Sequence, residues 1–77
     1  LPLKIIIPIT EWKEQYSVAP WMVRLTPDDL NGLTKISSAD TLQLRSVSVE
    51  RFVKKVGEIN IEILEQIEDA ISQVLDL

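Results

Sequence analysis

Lys4-Ile5-Ile6-Ile7-Pro8-Ile9-Thr10 is the stretch on which the fold turns. Its isoleucines, branched at Cβ and apolar, read as a strand over about residues 4–9 that is buried on both faces. Pro8 has no N–H to give a ladder, so this strand ends there or runs along an edge. The polar residues Thr10 to Ser17 then form a loop holding two aromatics. A second strand, about 19–25, is entered through Pro20. Thr26-Pro27-Asp28-Asp29-Leu30-Asn31-Gly32 is turn chemistry: Pro sets φ, Asp and Asn bond their own backbone, and Gly allows a positive φ.

The second half alternates before it becomes helical. Residues about 34–47 read as a strand with Leu42, Leu44 and Ser46 on one face and Gln43, Arg45 and Val47 on the other. Ser48 caps a short helical turn through Arg51. Residues about 52–57 read as a further short strand, which Gly57 ends or bulges. Asn60 is the N-cap of an amphipathic helix over about 60–76, with Glu62 in the first turn where the helix dipole favours an acid. Ile63, Ile67, Ile71 and Val74 form its apolar stripe, widened by Leu64 and Leu75, and the stripe predicts a buried packing face. The expectation is a β-rich α+β fold, one domain over residues 1–77.

Composition narrows the chemistry. The 77 residues hold no cysteine and no histidine. Disulfides, thiol nucleophiles, imidazole bases and Cys/His zinc sites are therefore excluded within these residues. No apolar run exceeds three residues, so no stretch reads as a membrane span or signal peptide, and the cytosol is the expected compartment. The first residue is Leu1 and the sole methionine is Met22. The abrupt entry into an apolar segment suggests that structure precedes it. Residues 1–55 carry eight basic and six acidic side chains, a net of +2, whereas residues 56–77 carry six acids and no base, a net of −6. The acidic segment would repel nucleic acid or simply be a solvated helix face, and the first part could meet a phosphate backbone.

Local motifs are few. Gly32 and Gly57 are too few for a phosphate loop. Asp28-Asp29 and Glu68-Asp69 read as turn and helix-surface acids rather than a cation site. Trp12, Tyr16 and Trp21 have two readings: core and rim packing, or a base-stacking group beside Lys13 and Arg24.

The order of elements carries more. The Ile6-Ile7-Pro8-Ile9-Thr10 segment, Gly32-Leu33, Gln43-Leu44-Arg45-Ser46, Arg51, Lys55-Val56-Gly57 and a helix ending Val74-Leu75-Asp76-Leu77 together resemble the MazF/PemK family of bacterial toxins. In that family an apolar strand ends P-I-T, and G-L, D-Q-x-R, a basic residue, K-x-G and V-L-x-L follow. The resemblance covers essentially the whole chain. It implies a small SH3-like barrel with a C-terminal helix, partial here, with strands about 4–9, 19–25, 34–47 and 52–57. It implies cleavage of single-stranded messenger RNA without metal or other cofactor, a protein antitoxin as partner, and a homodimer. Thr10 matches the catalytic threonine, Gln43 and Arg45 match the substrate-binding segment, and Asp40 joins them as a candidate substrate-binding residue. A threonine hydroxyl and a guanidinium would together stabilise the phosphorane formed as the 2′-hydroxyl attacks.

Three differences from the family pattern bear on function. The R-G-x-I half that supplies the family's arginine is not in this sequence. The expectation is accordingly a C-terminal portion of a longer toxin-like barrel, active poorly alone and associating with itself or with its missing N-terminal half. Glu11 stands where many relatives have serine. Asp40 lies three residues before Gln43, and Leu42 occupies the acid's usual place. Asp40 then has two readings, a groove residue on the Leu42 face of a strand or a turn aspartate. The competing function is a non-catalytic module for dimerisation or antitoxin binding.

Overall fold

A computed structural model describes residues 2–76; Leu1 and Leu77 lie outside it, so the last position of the V-L-x-L ending does too. Two small antiparallel sheets and one helix make up the fold. β1 (Leu3–Ile6) pairs with β5 (Arg45–Ser48), with Leu3 opposite Ser48 and Ile6 opposite Arg45. The second sheet has the order β2-β4-β3, from β2 (Ile9–Glu11), β4 (Ser37–Asp40) and β3 (Met22–Leu25). The C-terminal helix α1 spans Ile61–Val74. The β-rich α+β expectation holds. The described residues form no closed barrel, only these two sheets.

The division into two sheets has a local cause. The strand expected over 4–9 breaks at Ile7-Pro8, because Pro8 lacks a donor, although its carbonyl still accepts from the Asp40 N–H at 3.0 Å. On the opposing chain the strand expected over 34–47 stops at Asp40. There the Asp40 carboxylate accepts from the Leu42 N–H at 3.1 Å and starts a 3-10 turn, Thr41–Gln43. Local side-chain bonding of this kind competes with a ladder. Trp21 fixes the turn by accepting from both the Thr41 N–H at 3.0 Å and its hydroxyl at 2.7 Å. The two chain segments thus bend together and re-pair beyond the break as β1 and β5.

Burial differs from the sequence reading in instructive ways. The isoleucine segment is not buried on both faces: Ile5 is 67% exposed, and Leu3, Lys4 and Ile9 are exposed as well. It flanks the core instead of crossing it. The core joins Val23, Leu25, Ala39 and Ala70, with Ile7, Leu33, Ile59, Ile63 and Ile67 packed around them. The helix stripe faces this core, but Ile63, Ile67, Ile71 and Val74 are half-buried. The fully buried contact on the helix is Ala70, whose small side chain lets α1 approach the sheet closely. Asn60 caps α1 as expected, its side-chain oxygen accepting from the Ile63 N–H at 2.9 Å.

No strand forms over residues 52–57. The segment is extended without a ladder partner, and Phe52, Val53 and Val56 are exposed, Val53 at 94%. It is held where Gly57 meets the preceding turn. In that turn Asp28 accepts from the N–H groups of Leu30 and Asn31, both at 2.8 Å, and the buried Asn31 donates to the Thr26 carbonyl at 2.9 Å. Gly32 has φ +68°, and a Cβ there would collide with the Val56 carbonyl; a Cβ on Gly57 would collide with the Asn31 backbone. The two glycines are therefore a single close crossing of two backbones. The polar loop expected over Thr10–Ser17 is also reassigned: Thr10 and Glu11 belong to β2, and Glu14–Val18 form a 3-10 turn.

Candidate functional site

Thr10 lies at the middle of β2 with its side chain exposed. It pairs with Ser38 on β4, and Ser38 pairs in turn with Arg24 on β3. Directly paired residues of an antiparallel sheet share a face, so Thr10, Ser38 and Arg24 form one cross-strand row. Ile9, Ala39 and Val23 form the adjacent row on the other face, the one that contributes Val23 and Ala39 to the core under α1. The Thr10 row is therefore turned away from the helix. Ser38, 0% exposed, is covered even so, and its hydroxyl donates to the Met22 sulfur at 3.1 Å.

Asp40 stands two residues beyond Ser38 on the same face. It is 6% exposed, and both its oxygens are engaged: one by the Leu42 N–H, the other by the Gln43 amide at 3.0 Å. The fold thus joins Asp40 and Gln43, and Asp40 caps a turn. The alternation that put Leu42 on a strand face with Asp40 does not apply, because the strand ends between them. Arg45 lies on the other sheet, opposite Ile6, exposed, and no hydrogen bond joins it to Thr10, Asp40 or Gln43.

Glu11 does not bring its charge to the Thr10 face. It pairs with Ser37, so its side chain projects to the other side of the sheet, where Lys35 lies 3.5 Å from its carboxylate. Trp12 follows β2 and extends its line, its N–H donating to the Ile36 carbonyl at 3.1 Å. Its ring meets Tyr16 edge-on with centroids 5.9 Å apart, and the Arg24 guanidinium carbon sits 5.5 Å from the Trp12 ring centroid. Trp12 is half-buried and its indole N–H is buried without an acceptor among the described residues. These contacts satisfy the packing reading of Trp12 and Tyr16, and Trp21 forms no ring pair with either.

Sequence reasoning identified Thr10, Asp40, Gln43 and Arg45 but gave Arg24 no definite place. The missing information was register: only the pairing of β2 and β3 through β4 shows that Arg24 and Thr10 share a row. Elsewhere, an apolar cavity of about 170 Å³ is lined by Ile9, Leu33, Val56 and Ile59 among others, and Ile9 projects to the face opposite Thr10. The Lys55 ammonium, hydrogen-bonded to Glu58 and acting by its charge, holds the Glu58 carboxyl below its ordinary pKa. Among the described residues no helix is long and apolar enough to cross a membrane.

A profile of the family described as "PemK-like, MazF-like toxin of type II toxin-antitoxin system" matches residues 2–75. The chain belongs to this toxin family. No curated protein matches it by sequence. Among solved structures, the Mycobacterium tuberculosis toxin MazF-mt6 superposes with a TM-score of 0.84 at 19% identity, over 100% of this chain and 73% of that one. A crystal structure of an Mtb toxin superposes with a TM-score of 0.80 at 19% identity, over 96% of this chain and 76% of that one. At that identity the two structures establish the shared fold, while the family rests on the profile match.

Proposed function

We propose that this chain cleaves single-stranded RNA as the toxin of a type II toxin–antitoxin pair. The observation that carries the proposal is the exposed Thr10 hydroxyl on the sheet face away from α1, with the Asp40–Gln43 pair farther along that face. Thr10 donates a hydrogen bond to a non-bridging phosphate oxygen. The 2′-hydroxyl gives its proton to solvent as its oxygen bonds to phosphorus, and the 5′-oxygen takes a proton from water as its bond to phosphorus breaks, leaving a 2′,3′-cyclic phosphate and a 5′-hydroxyl. Charge developing on the phosphorane oxygens is what the hydroxyl and a guanidinium stabilise. Gln43, held by Asp40, and Arg45 bind the strand beside the scissile group, and no metal takes part.

In single-turnover conditions, with the chain in excess over a labelled RNA, the expected products carry 2′,3′-cyclic phosphate ends, persist in EDTA and disappear in Thr10→Ala. Cleavage that survives Thr10→Ala, or that EDTA abolishes, overturns this reading. The cell compartment that fits an mRNA substrate is the cytoplasm.

A protein antitoxin is the partner, and the exposed apolar residues Leu3, Ile5, Phe52, Val53 and Val56 favour assembly as a homodimer. A two-stranded ribbon such as β1–β5 gains from being covered. Sedimentation velocity at micromolar concentration should show a species larger than the 8.8 kDa chain. A compact monomer across that range refutes self-association.

A further inference from the structure

We propose that Arg24, supported by Trp12, grips an RNA phosphodiester beside Thr10. The inference rests on the RNA reading above and adds a phosphate-binding residue to it.

Strands of a sheet lie about 4.8 Å apart, so the Thr10 and Arg24 backbones are about 10 Å apart across Ser38. The Arg24 side chain meets that of Trp12 across β4. Its guanidinium carbon lies 5.5 Å from the ring centroid of Trp12, a residue on the far side of β4 that continues the line of β2 two residues beyond Thr10. The two side chains therefore close on each other over the central strand, on the face that Thr10 shares. An anion resting between Thr10 and Arg24 would meet a hydroxyl on one flank and a planar fork of N–H donors on the other.

Arg24 is also unspent. Among the described residues it forms no ion pair, and neither of the two ion pairs present involves it. The carboxylate nearest to Thr10 in sequence, Glu11, is on the opposite face and faces Lys35. Stacking over an aromatic ring orients a guanidinium while leaving its edge donors free for a phosphate. Trp12 thereby has a function beyond packing: with one face occupied by Arg24 and an edge contact to Tyr16, it holds the cation in place.

The test is binding, which does not depend on turnover. The probe is a fluorescein-labelled, mixed-sequence 2′-O-methyl 12-mer oligoribonucleotide, which lacks the attacking hydroxyl, and anisotropy titrations of the full chain are run at several salt concentrations. Arg24→Gln should weaken binding about tenfold and lower the slope of log affinity against log salt by about 0.7, one single-strand phosphate contact. Arg24→Lys should keep the salt slope and lose about threefold, since charge remains and the planar fork does not. Arg51→Gln removes the same charge from the turn after β5 and should stay within about twofold of the parent. Circular dichroism confirms that each variant is folded; Arg24 is exposed on its strand, so its replacement leaves the core intact. Parent-like affinity and slope in Arg24→Gln, or an equal loss in Arg51→Gln, overturns the assignment of Arg24 while the RNA reading stands. Failure of the parent chain to bind the probe removes the RNA reading and this inference together.

Discussion

Replacing Asp40 separates its two readings, because its bonds are known atom by atom. The carboxylate is 6% exposed and accepts from the Leu42 N–H at 3.1 Å and the Gln43 amide at 3.0 Å. In Asp40→Ala the turn loses its cap, and the Leu42 N–H is left without that acceptor. Hydrogen bonds to a charged acceptor contribute about 1.5–3 kcal/mol each, and lost caps cost about 0.5–2 kcal/mol. Gln43 is exposed and can turn its amide to water, so the second bond adds little. The expected loss is about 1–3 kcal/mol, which in a domain of this size lowers the melting temperature by roughly 4–8 °C per kcal/mol. Asp40→Asn keeps one oxygen for Leu42, and Gln43 can rotate to offer its own oxygen, so its loss should be below about 1 kcal/mol. Thermal melts followed by circular dichroism measure both, and the same two proteins in the RNA cleavage assay complete the comparison. A stable but inactive Asp40→Asn assigns the charge to the groove; a stable and active one leaves Asp40 a turn residue. If Asp40→Ala melts within about 2 °C of the parent, the capping argument for the break between β4 and β5 is wrong.

Gly57→Ala should be among the most damaging small substitutions, costing more than about 1–3 kcal/mol because its Cβ would strike the Asn31 backbone; a melting temperature equal to the parent's would show that the crossing opens freely. Ile67→Ala should cost about 1–3 kcal/mol, the lower part of the range for emptied sites, because Ile67 is half-buried; denaturant melts showing under about 0.5 kcal/mol would place it on a surface. Glu58 has a folded-state pKa below its ordinary value, so its pairing with Lys55 stabilises at neutral pH and that contribution is lost as pH falls through the folded-state pKa. The melting difference between the parent and Glu58→Gln should therefore shrink from pH 7 to pH 3, and a difference that grows on acidification contradicts this sign.

The helix was legible in the sequence because every signal for it is local. Asn60 sits where a cap is needed, and the isoleucines recur at the helical period. The turn at Asp28–Gly32 was legible for the same reason, since its bonds run over two to five residues. The strands were harder. The isoleucine run, with the composition of a doubly buried strand, is half-exposed, because burial depends on what packs against a segment and not on its own hydrophobicity. Residues 52–57 carry strand-like side chains yet have no partner ladder, and the position of Gly57 is set by a turn 25 residues earlier.

The candidate site was legible in inverse proportion to how far it depends on pairing. Thr10 is marked by the Pro8-Ile9-Thr10 motif that leads into β2, a strand at the edge of the β2-β4-β3 sheet, and it is exposed there. Asp40 was ambiguous because a turn aspartate and a strand aspartate look alike in a sequence; its bond to the Leu42 N–H caps the turn, and its bond to the Gln43 amide ties it to that turn's last residue. Arg24 was legible as a neighbour of the aromatic group but not as a member of the Thr10 row, since its strand and that of Thr10 are separated by a third strand that comes later in the chain. Glu11 is the converse case: it is adjacent to Thr10 in sequence, but consecutive strand residues point to opposite faces, and Lys35 stands beside its carboxylate. A one-residue slip of β2 against β4 would exchange the places of Thr10 and Glu11 and bring a negative charge onto the Arg24 row. The pairing of Ile9 with Ala39, which puts two apolar side chains on the helix side, holds the register that keeps this charge away.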